Sequence, residues 1–220
     1  VKTGKEKLIG TDFDLRPRHE GIDTNKYDVA LCTNCGYAAL TRFFDKIGTA
    51  QAKLVRENIS QNVKLGEYFG DTYPYEQCLE RYKLALVNSV VKRAKSSEKA
   101  YVCLKTAWIC RGFAEELEAT DNDKAEEMIK ELKEEEEKQL SNALNGFTEA
   151  RSTESFPMCG MDEMTMDYLL AQLNHHFGNY DDAARLVSGI LTNRNAKPVI
   201  KNKALDLKEQ IVADKKKAQG

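Results

Sequence analysis

The sequence lacks the patterns that would place it in or across a membrane. No apolar run approaches the ~20 residues that a membrane-spanning helix needs. The chain also has no charged-then-apolar opening of the kind that marks a signal peptide. We therefore expect no membrane association, and we predict a protein of the cytoplasm.

An excess of one charge is missing as well, and so are the usual motifs of enzymes. Lys and Arg total 33 against 35 for Asp and Glu, so no global electrostatic field draws the chain to nucleic acid. The sequence has no phosphate-cradling glycine loop and no Gly-x-Ser-x-Gly turn. No nucleophile is paired with a base at a defensible spacing. These absences favour a non-catalytic protein.

Cysteine is present, but its distribution does not favour a disulfide framework. The chain is long, has no export signal and places three of its cysteines within helical patterns, which favours reduced thiols in a cytoplasmic setting. Cys103 and Cys110 lie on an apolar stripe, where cysteine most often fills a core. The six cysteines are Cys32, Cys35, Cys78, Cys103, Cys110 and Cys159.

The hydrophobic pattern changes from turn and strand signals in residues 1–31 to helix from Ala38 onward. Apolar residues then recur three and four apart through successive segments joined by short loops. The longest predicted helix runs from 123 to about 150. Its middle, KEEEEKQ, has no apolar anchor, so we expect that part to face water. The predicted fold class is mainly α, with a small β segment at the N-terminus.

One stretch carries a pattern more specific than periodicity. Residues 164–191, MTMDYLLAQLNHHFGNYDDAARLVSGIL, resemble a tetratricopeptide repeat, whose two antiparallel helices pack through small residues at fixed positions. Ala171, Gly178 and Ala183 stand at such positions. The resemblance implies a tetratricopeptide-like α-α superhelix of antiparallel helix pairs, because one pair cannot bury both its faces and its neighbours must stack.

Stacked helix pairs of this kind leave a concave groove that commonly holds a peptide or protein segment. The resemblance places Thr165, Tyr168, Gln172 and His175 on the groove side of their helix. We therefore predict these four as partner-binding residues, with a protein or peptide as the partner. The alternative is that they are ordinary surface positions.

The stretch YDVALCTNCGYAAL, residues 27–40, contains a Cys-x-x-Cys turn formed by Cys32 and Cys35. In a metal knuckle, a strand leads into a tight turn whose two thiolates point to one side, and zinc then needs two further ligands. In a redox site, the pair should open a helix whose end lowers the pKa of one thiol. In a third interpretation both are small core residues. The metal interpretation is favoured, because Gly36 follows directly and no thioredoxin-like pattern surrounds the pair.

Three segments together resemble a bacterial family, domain of unknown function 2225: DFDLRP, then KYDVALCTNCGYAAL, and GNYDDAARL far downstream. The resemblance implies a zinc knuckle of two Cys-x-x-Cys pairs joined to a tetratricopeptide-like body. In that family the first pair precedes the D-x-D segment, so we expect it before residue 1 or lost. Zinc is then the expected cofactor, with an incomplete site in this chain. We assign residues 1–45 to the knuckle-like segment and 46–220 to the helical domain.

The function predicted from these observations is that of a protein–protein interaction module of unknown biological role, with a structural zinc-knuckle remnant. One alternative is a thiol redox protein that uses Cys32 and Cys35. Another is weak nucleic-acid binding through the knuckle, which would need a basic face around residues 2–18. We expect Arg16, Arg18 and His19 to form a solvated loop, so nucleic acid is the less favoured partner.

Overall fold

The computed structural model of the chain describes residues 6–61, 70, 72–120 and 125–219. Its N-terminal part contains two small antiparallel hairpins. In the first, Leu8 lies opposite His19; in the second, Val29 lies opposite Leu40. The strands are β1 (Leu8–Thr11), β2 (Pro17–His19), β3 (Val29–Leu31) and β4 (Ala38–Leu40), with a 3-10 helix, Thr24–Tyr27, between the hairpins.

The rest of the described chain is helical, as the hydrophobic pattern predicts. Helix α1 is a single turn, whereas α4, α5 and α8 each extend over more than twenty residues. The helices are α1 (Thr41–Phe44), α2 (Thr49–Asn58), α3 (Tyr75–Val91), α4 (Ser96–Glu118), α5 (Glu126–Thr153), α6 (Glu163–His176), α7 (Tyr180–Thr192) and α8 (Pro198–Gln219).

Helices α4 and α5 form the longest antiparallel pair and enclose the main core. They approach closely because small residues face each other: a Cβ placed on Gly146 would lie 2.9 Å from the Cβ of Ala100. Larger side chains fill the space on both sides of this contact. Among them are Leu104, Trp108, Leu140, Phe147, Met166 and Leu169.

The last three helices pack in sequence order, α7 against α6 and α8 against both. Ala171, Ala183 and Ala204, one from each helix, are fully buried at these contacts, where small side chains permit close approach. Val187, Ile190, Leu207 and Ile211 complete the cluster. The stacked arrangement agrees with helix pairs that share a core, but a tetratricopeptide superhelix stays a prediction.

The N-terminal segment packs directly onto α3 and α4. Val29 and Leu40 share a buried cluster with Tyr82 and Ile109. The Tyr82 hydroxyl donates a hydrogen bond of 2.7 Å to the backbone carbonyl of Asn25. The N-terminal segment therefore shares a continuous interior with the helices, and the division near residue 45 stays a prediction.

The acidic run on α5 differs from the solvated face that its composition indicates. Glu136 is only 13% exposed and accepts a hydrogen bond of 2.7 Å from Arg111 Nε on α4. Glu134 is 69% exposed, as expected. The prediction is thus wrong for Glu136, because a buried cation on the neighbouring helix supplies the partner that the local sequence does not show.

Among the residues that the structure describes, no helix is both long enough and apolar enough to cross a bilayer.

Candidate functional site

The Cys-x-x-Cys stretch forms the tight turn between β3 and β4, and its role as a metal knuckle stays a prediction. The backbone N–H of Cys32 donates to the carbonyl of Tyr37 at 2.8 Å, and the N–H of Gly36 donates to the carbonyl of Cys32 at 2.9 Å. Gly36 has a φ of 71°, a left-handed conformation that glycine adopts without a steric penalty. The chain therefore reverses tightly around the two half-buried cysteines.

The two sulfur atoms lie beside each other and differ in their electrostatic surroundings. The backbone N–H of Cys35, the Cys35 side chain and the backbone N–H of Asn34, in that order, hold the pKa of the Cys32 thiol below its ordinary value. Burial raises the pKa of the Cys35 thiol, although the N–H of Tyr37 opposes this effect. Donors aimed at sulfur stabilise a thiolate, which is the form that binds a metal ion.

Three side chains from α3 and the end of α2 fix the knuckle in place. Ser60 Oγ donates to the carbonyl of Cys35 at 2.8 Å, and Asn88 Nδ2 donates to the carbonyl of Gly36 at 3.2 Å. Lys92 Nζ donates to the Tyr37 hydroxyl at 3.3 Å. The turn is thus a rigid extension of the helical body, with its sulfur atoms held at a defined position.

In the part of the chain that the structure describes, two thiols stand at this position, those of Cys32 and Cys35. Among the described residues, no group of three or more Cys, His, Asp or Glu side chains could hold a metal ion. Cys159, the loop cysteine, instead lies against α4, where its Sγ is 3.3 Å from the carbonyl of Ser97. The core cysteines are Cys78, Cys103 and Cys110, all buried.

The four residues predicted to bind a partner lie on α6 in different environments. Thr165 donates from its backbone N–H and its hydroxyl to Asp162, the N-cap of the helix, at 2.9 and 2.7 Å. Tyr168 and Gln172 are 6% and 7% exposed, because α8 packs over them. Gln172 Nε2 donates to the Tyr168 hydroxyl at 2.6 Å. Thr165 is therefore bound to the N-cap of its own helix, and Tyr168 belongs to a helix interface.

Gln172 and His175 reach a polar cleft of about 350 Å³ between α6 and α8. His175 Nε2 lies 3.2 Å from Asp214 Oδ2 on α8. The neighbouring His176 pairs with Glu137 of α5 at 2.9 Å. Phe13, Tyr180 and Gln210 complete the lining. Of the four predicted residues, the structure brings these two to an accessible cleft.

A buried ion network that the sequence analysis did not identify joins the β1–β2 loop to α4. Asp14 is fully buried, and its carboxylate accepts hydrogen bonds from Trp108 Nε1 at 3.0 Å and Arg111 Nη2 at 2.8 Å. Arg16 is 3% exposed and donates from Nη1 to Glu115 at 3.2 Å. Buried charges require such partners, so the network fixes the N-terminal segment on the helices.

The solvated loop expected at Arg16 and Arg18 is wrong for both arginines. Arg18 Nη1 and Nη2 each lie 2.6 Å from the carboxylate of Glu115, and Arg18 Nε lies 2.7 Å from Asp12. Burial raises the pKa of Asp12 and Glu115, but the hydrogen bonds from Arg18 outweigh it and hold both pKa values below their ordinary range. Phosphate groups would have to displace these carboxylates, which weighs against nucleic-acid binding here.

Comparisons with known proteins agree with the resemblance drawn from the three sequence segments. A search of curated proteins gave no match, and neither did a search of solved structures. The model of the family described as "Uncharacterized protein conserved in bacteria", domain of unknown function 2225, matches residues 1–211. The chain therefore belongs to this bacterial family.

Proposed function

We propose that this protein is a non-catalytic protein–protein interaction module of the bacterial cytoplasm, with a structural zinc knuckle at its N-terminal end. The observation that carries the proposal is the turn at Cys32 and Cys35. It brings two thiols together, directs backbone N–H groups at one of them, and is itself held by α2 and α3. Such a turn suits a fixed structural element.

The residues present fit half of a tetrahedral zinc site. Cys32 and Cys35 would supply two thiolates, and a second Cys-x-x-Cys pair, of the kind that the family resemblance implies, would supply the other two. Bound zinc would contribute a cross-link between the two pairs. The two thiols of this chain, their N–H donors and the contacts of Ser60 and Asn88 would fix the position of that cross-link on the helical body.

Cobalt(II) titration tests the knuckle, because thiolate–cobalt absorption reports sulfur ligands directly. Because the described residues supply two of the four ligands, we expect a weak absorption with the wild-type chain and its loss in Cys32→Ser and Cys35→Ser. The matched control is Cys159→Ser, which retains a donor for the carbonyl of Ser97 and should titrate like the wild type. The metal proposal fails if the double variant Cys32→Ser/Cys35→Ser gives the same spectrum as the unmodified chain.

The interaction proposal is supported by the polar cleft between α6 and α8. Its side chains come from the N-terminal segment and three helices, and Gln210 stands exposed at its edge. Affinity purification from the native bacterium, followed by calorimetry with the purified partner, is the test. We expect Gln210→Lys to lose the partner and Asn202→Lys, the same change on exposed α8 surface outside the cleft, to retain it. Equal binding by both variants would remove the cleft from the proposal.

Thiol redox chemistry is the second candidate, and the lowered pKa of Cys32 beside the raised pKa of Cys35 favours it. The response to a reductant and the response to zinc separate the two functions. A redox pair should cycle between dithiol and disulfide with a thioredoxin-type reductant, and zinc should not alter its stability. A structural knuckle should gain thermal stability from zinc and show no catalytic turnover with a disulfide substrate.

A further inference from the structure

Helices α7 and α8 present an apolar surface at the C-terminal end of the helix stack. Leu205 and Val212 on α8 are 48% and 47% exposed, although both are large aliphatic side chains. Beside them, an apolar cleft of about 280 Å³ runs between α7 and α8, with Leu191 and Ile211 in its lining. In a stacked helical protein this is the side on which a further helix would pack.

Lysines run parallel to these apolar side chains. Lys201, Lys208 and Lys215 are spaced seven residues apart, so they lie within about 20° of one another per step around the helix. Leu205 and Val212 share the same spacing and lie alongside. The apolar residues and lysines together, Leu191, Lys201, Leu205, Lys208 and Val212, are named here the α7–α8 face.

The charge of this face is local and largely uncompensated. Helix α8 carries six lysines and three acidic residues, whereas the whole chain has a formal charge of −2. Lys215 pairs with Asp181 of α7. Lys201 and Lys208 form no ion pair with any residue in the part of the chain that the structure describes. Two lysines that form no ion pair within the described residues thus lie beside an exposed apolar stripe.

We propose that the α7–α8 face binds an acidic amphipathic helix of a partner protein. This inference rests on the proposed interaction function, and it assigns a second surface, separate from the α6–α8 cleft, together with the chemistry of its partner. Apolar residues of the incoming helix, spaced three and four apart, pack against Leu205, Val212 and the α7–α8 cleft. Its flanking Asp and Glu side chains pair with Lys201 and Lys208.

The geometry favours a helix over the other occupants of a basic apolar surface. A second copy of α8 would place lysines against lysines, which is unfavourable. A membrane-surface helix usually inserts several large apolar side chains, including aromatic ones, whereas α8 offers Leu205 and Val212 at this face and no aromatic residue. A concave cleft between two packed helices accepts the ridge of a third.

Selection from a library of surface-displayed helical peptides, randomised in apolar and charged positions, tests the proposal without knowledge of the partner. Enriched peptides should carry apolar residues three and four apart with Asp or Glu beside them. The Lys201→Glu/Lys208→Glu variant should bind the enriched peptides with an affinity about tenfold lower than that of the wild type at low salt. The same variant should bind versions of these peptides in which Lys replaces the acidic residues. Val212→Asp should also abolish binding of the enriched peptides.

Two variants serve as matched controls for these substitutions. Val199→Asp makes the same change at an exposed valine on another side of α8, and Lys130→Glu reverses an exposed lysine on α5. Both should bind the selected peptides like the wild type. The urea midpoint of every variant is measured, so that loss of folding is separated from loss of binding.

Several outcomes would overturn the assignment. No enrichment, or peptides that bind all face variants equally, removes the α7–α8 face as a helix-binding site. If those peptides instead lose binding in Gln210→Lys, the face is excluded while the interaction function stands. If no acidic helices are selected and the protein binds vesicles that contain phosphatidylserine, with binding lost in the face variants, the face is assigned to a membrane. If it instead forms a concentration-dependent dimer that the face variants lose, the face is assigned to a second copy of the chain.

Discussion

Replacing Gly112 with Ala should destabilise the protein, although alanine is the better helix former. Gly112 lies in α4, and a Cβ at this position would be 2.5 Å from the Tyr75 hydroxyl and 2.7 Å from Arg16 Nη2. Both groups are already engaged: the Tyr75 hydroxyl donates to Asp23 at 2.9 Å and Arg16 Nη2 donates to the same oxygen at 3.1 Å. The added methyl group must displace at least one of them.

The expected change in the free energy of unfolding combines two destabilising contributions and one stabilising contribution. Overpacking a closely packed site costs about 1–3 kcal/mol, and losing a hydrogen bond to a charged group costs about 1.5–3 kcal/mol. The higher helix propensity of alanine returns about 1 kcal/mol. We therefore expect the free energy of unfolding to fall by about 3 kcal/mol for Gly112→Ala.

Urea unfolding followed by the fluorescence of Trp108, the single tryptophan of the chain, provides the assay. With a slope of about 3 kcal/mol per molar, the midpoint should fall by about 1 M. Gly189→Ala is the matched control, because no atom lies within 4 Å of a Cβ placed there on α7. It should raise the midpoint by about 0.3 M. Equal midpoints for the two variants would refute the close approach of Tyr75 and Arg16 to α4.

Three further predictions concern the buried charges and the thiols. Asp14→Ala should lower the free energy of unfolding, measured in urea, by about 3–5 kcal/mol, because the Arg111 guanidinium and the Trp108 indole N–H lose a buried acceptor. Asp206→Ala, at an exposed position of α8, should change the free energy of unfolding little. Stability should fall steeply below about pH 4, because burial raises the pKa values of Asp12, Asp23 and Glu115 but neighbouring arginines and hydrogen bonds outweigh it and hold them below the ordinary 3.8 and 4.5. Arg18→Gln should flatten the part of this dependence that comes from Asp12 and Glu115, as urea unfolding at several pH values would show. Alkylation with iodoacetamide at pH 8 should modify Cys32 first, and equal rates at all six cysteines would contradict the packing. Burial raises the pKa of the slow thiols to about 12, 11 and 12 for Cys78, Cys103 and Cys110.

Much of the helical architecture could be predicted because its signals are local. The apolar stripes and the glycine at 178 each act within a few residues of their position. The Cys-x-x-Cys turn was also predictable, since its spacing and the following Gly36 define the turn without distant contacts. The two short hairpins appeared in the sequence only as turn and strand signals.

The buried ion network could not be predicted from the pattern along the chain. Asp14 and Arg111 are 97 residues apart, and their pairing depends on how the β1–β2 loop packs on α4. Two signals were available: a charged residue at every second position of DFDLRPR, two acidic and then two basic, and Arg111 one turn before Glu115 on α4. Neither signal names its partner. The burial of Tyr168 and Gln172 was missed for the same reason, because α8 covers them.

The packing of the first strands onto α3 and α4 bears on how the gene can be cut and recombined. A fragment beginning near residue 46 would lose the carbonyl that receives the Tyr82 hydroxyl and the carboxylates that surround Arg111. Two aromatic side chains, Tyr82 and Trp108, would then have bare polar atoms in a newly opened interior. Chimeras between family members should therefore keep the N-terminal segment together with α3 and α4, and a junction near residue 46 should yield insoluble products.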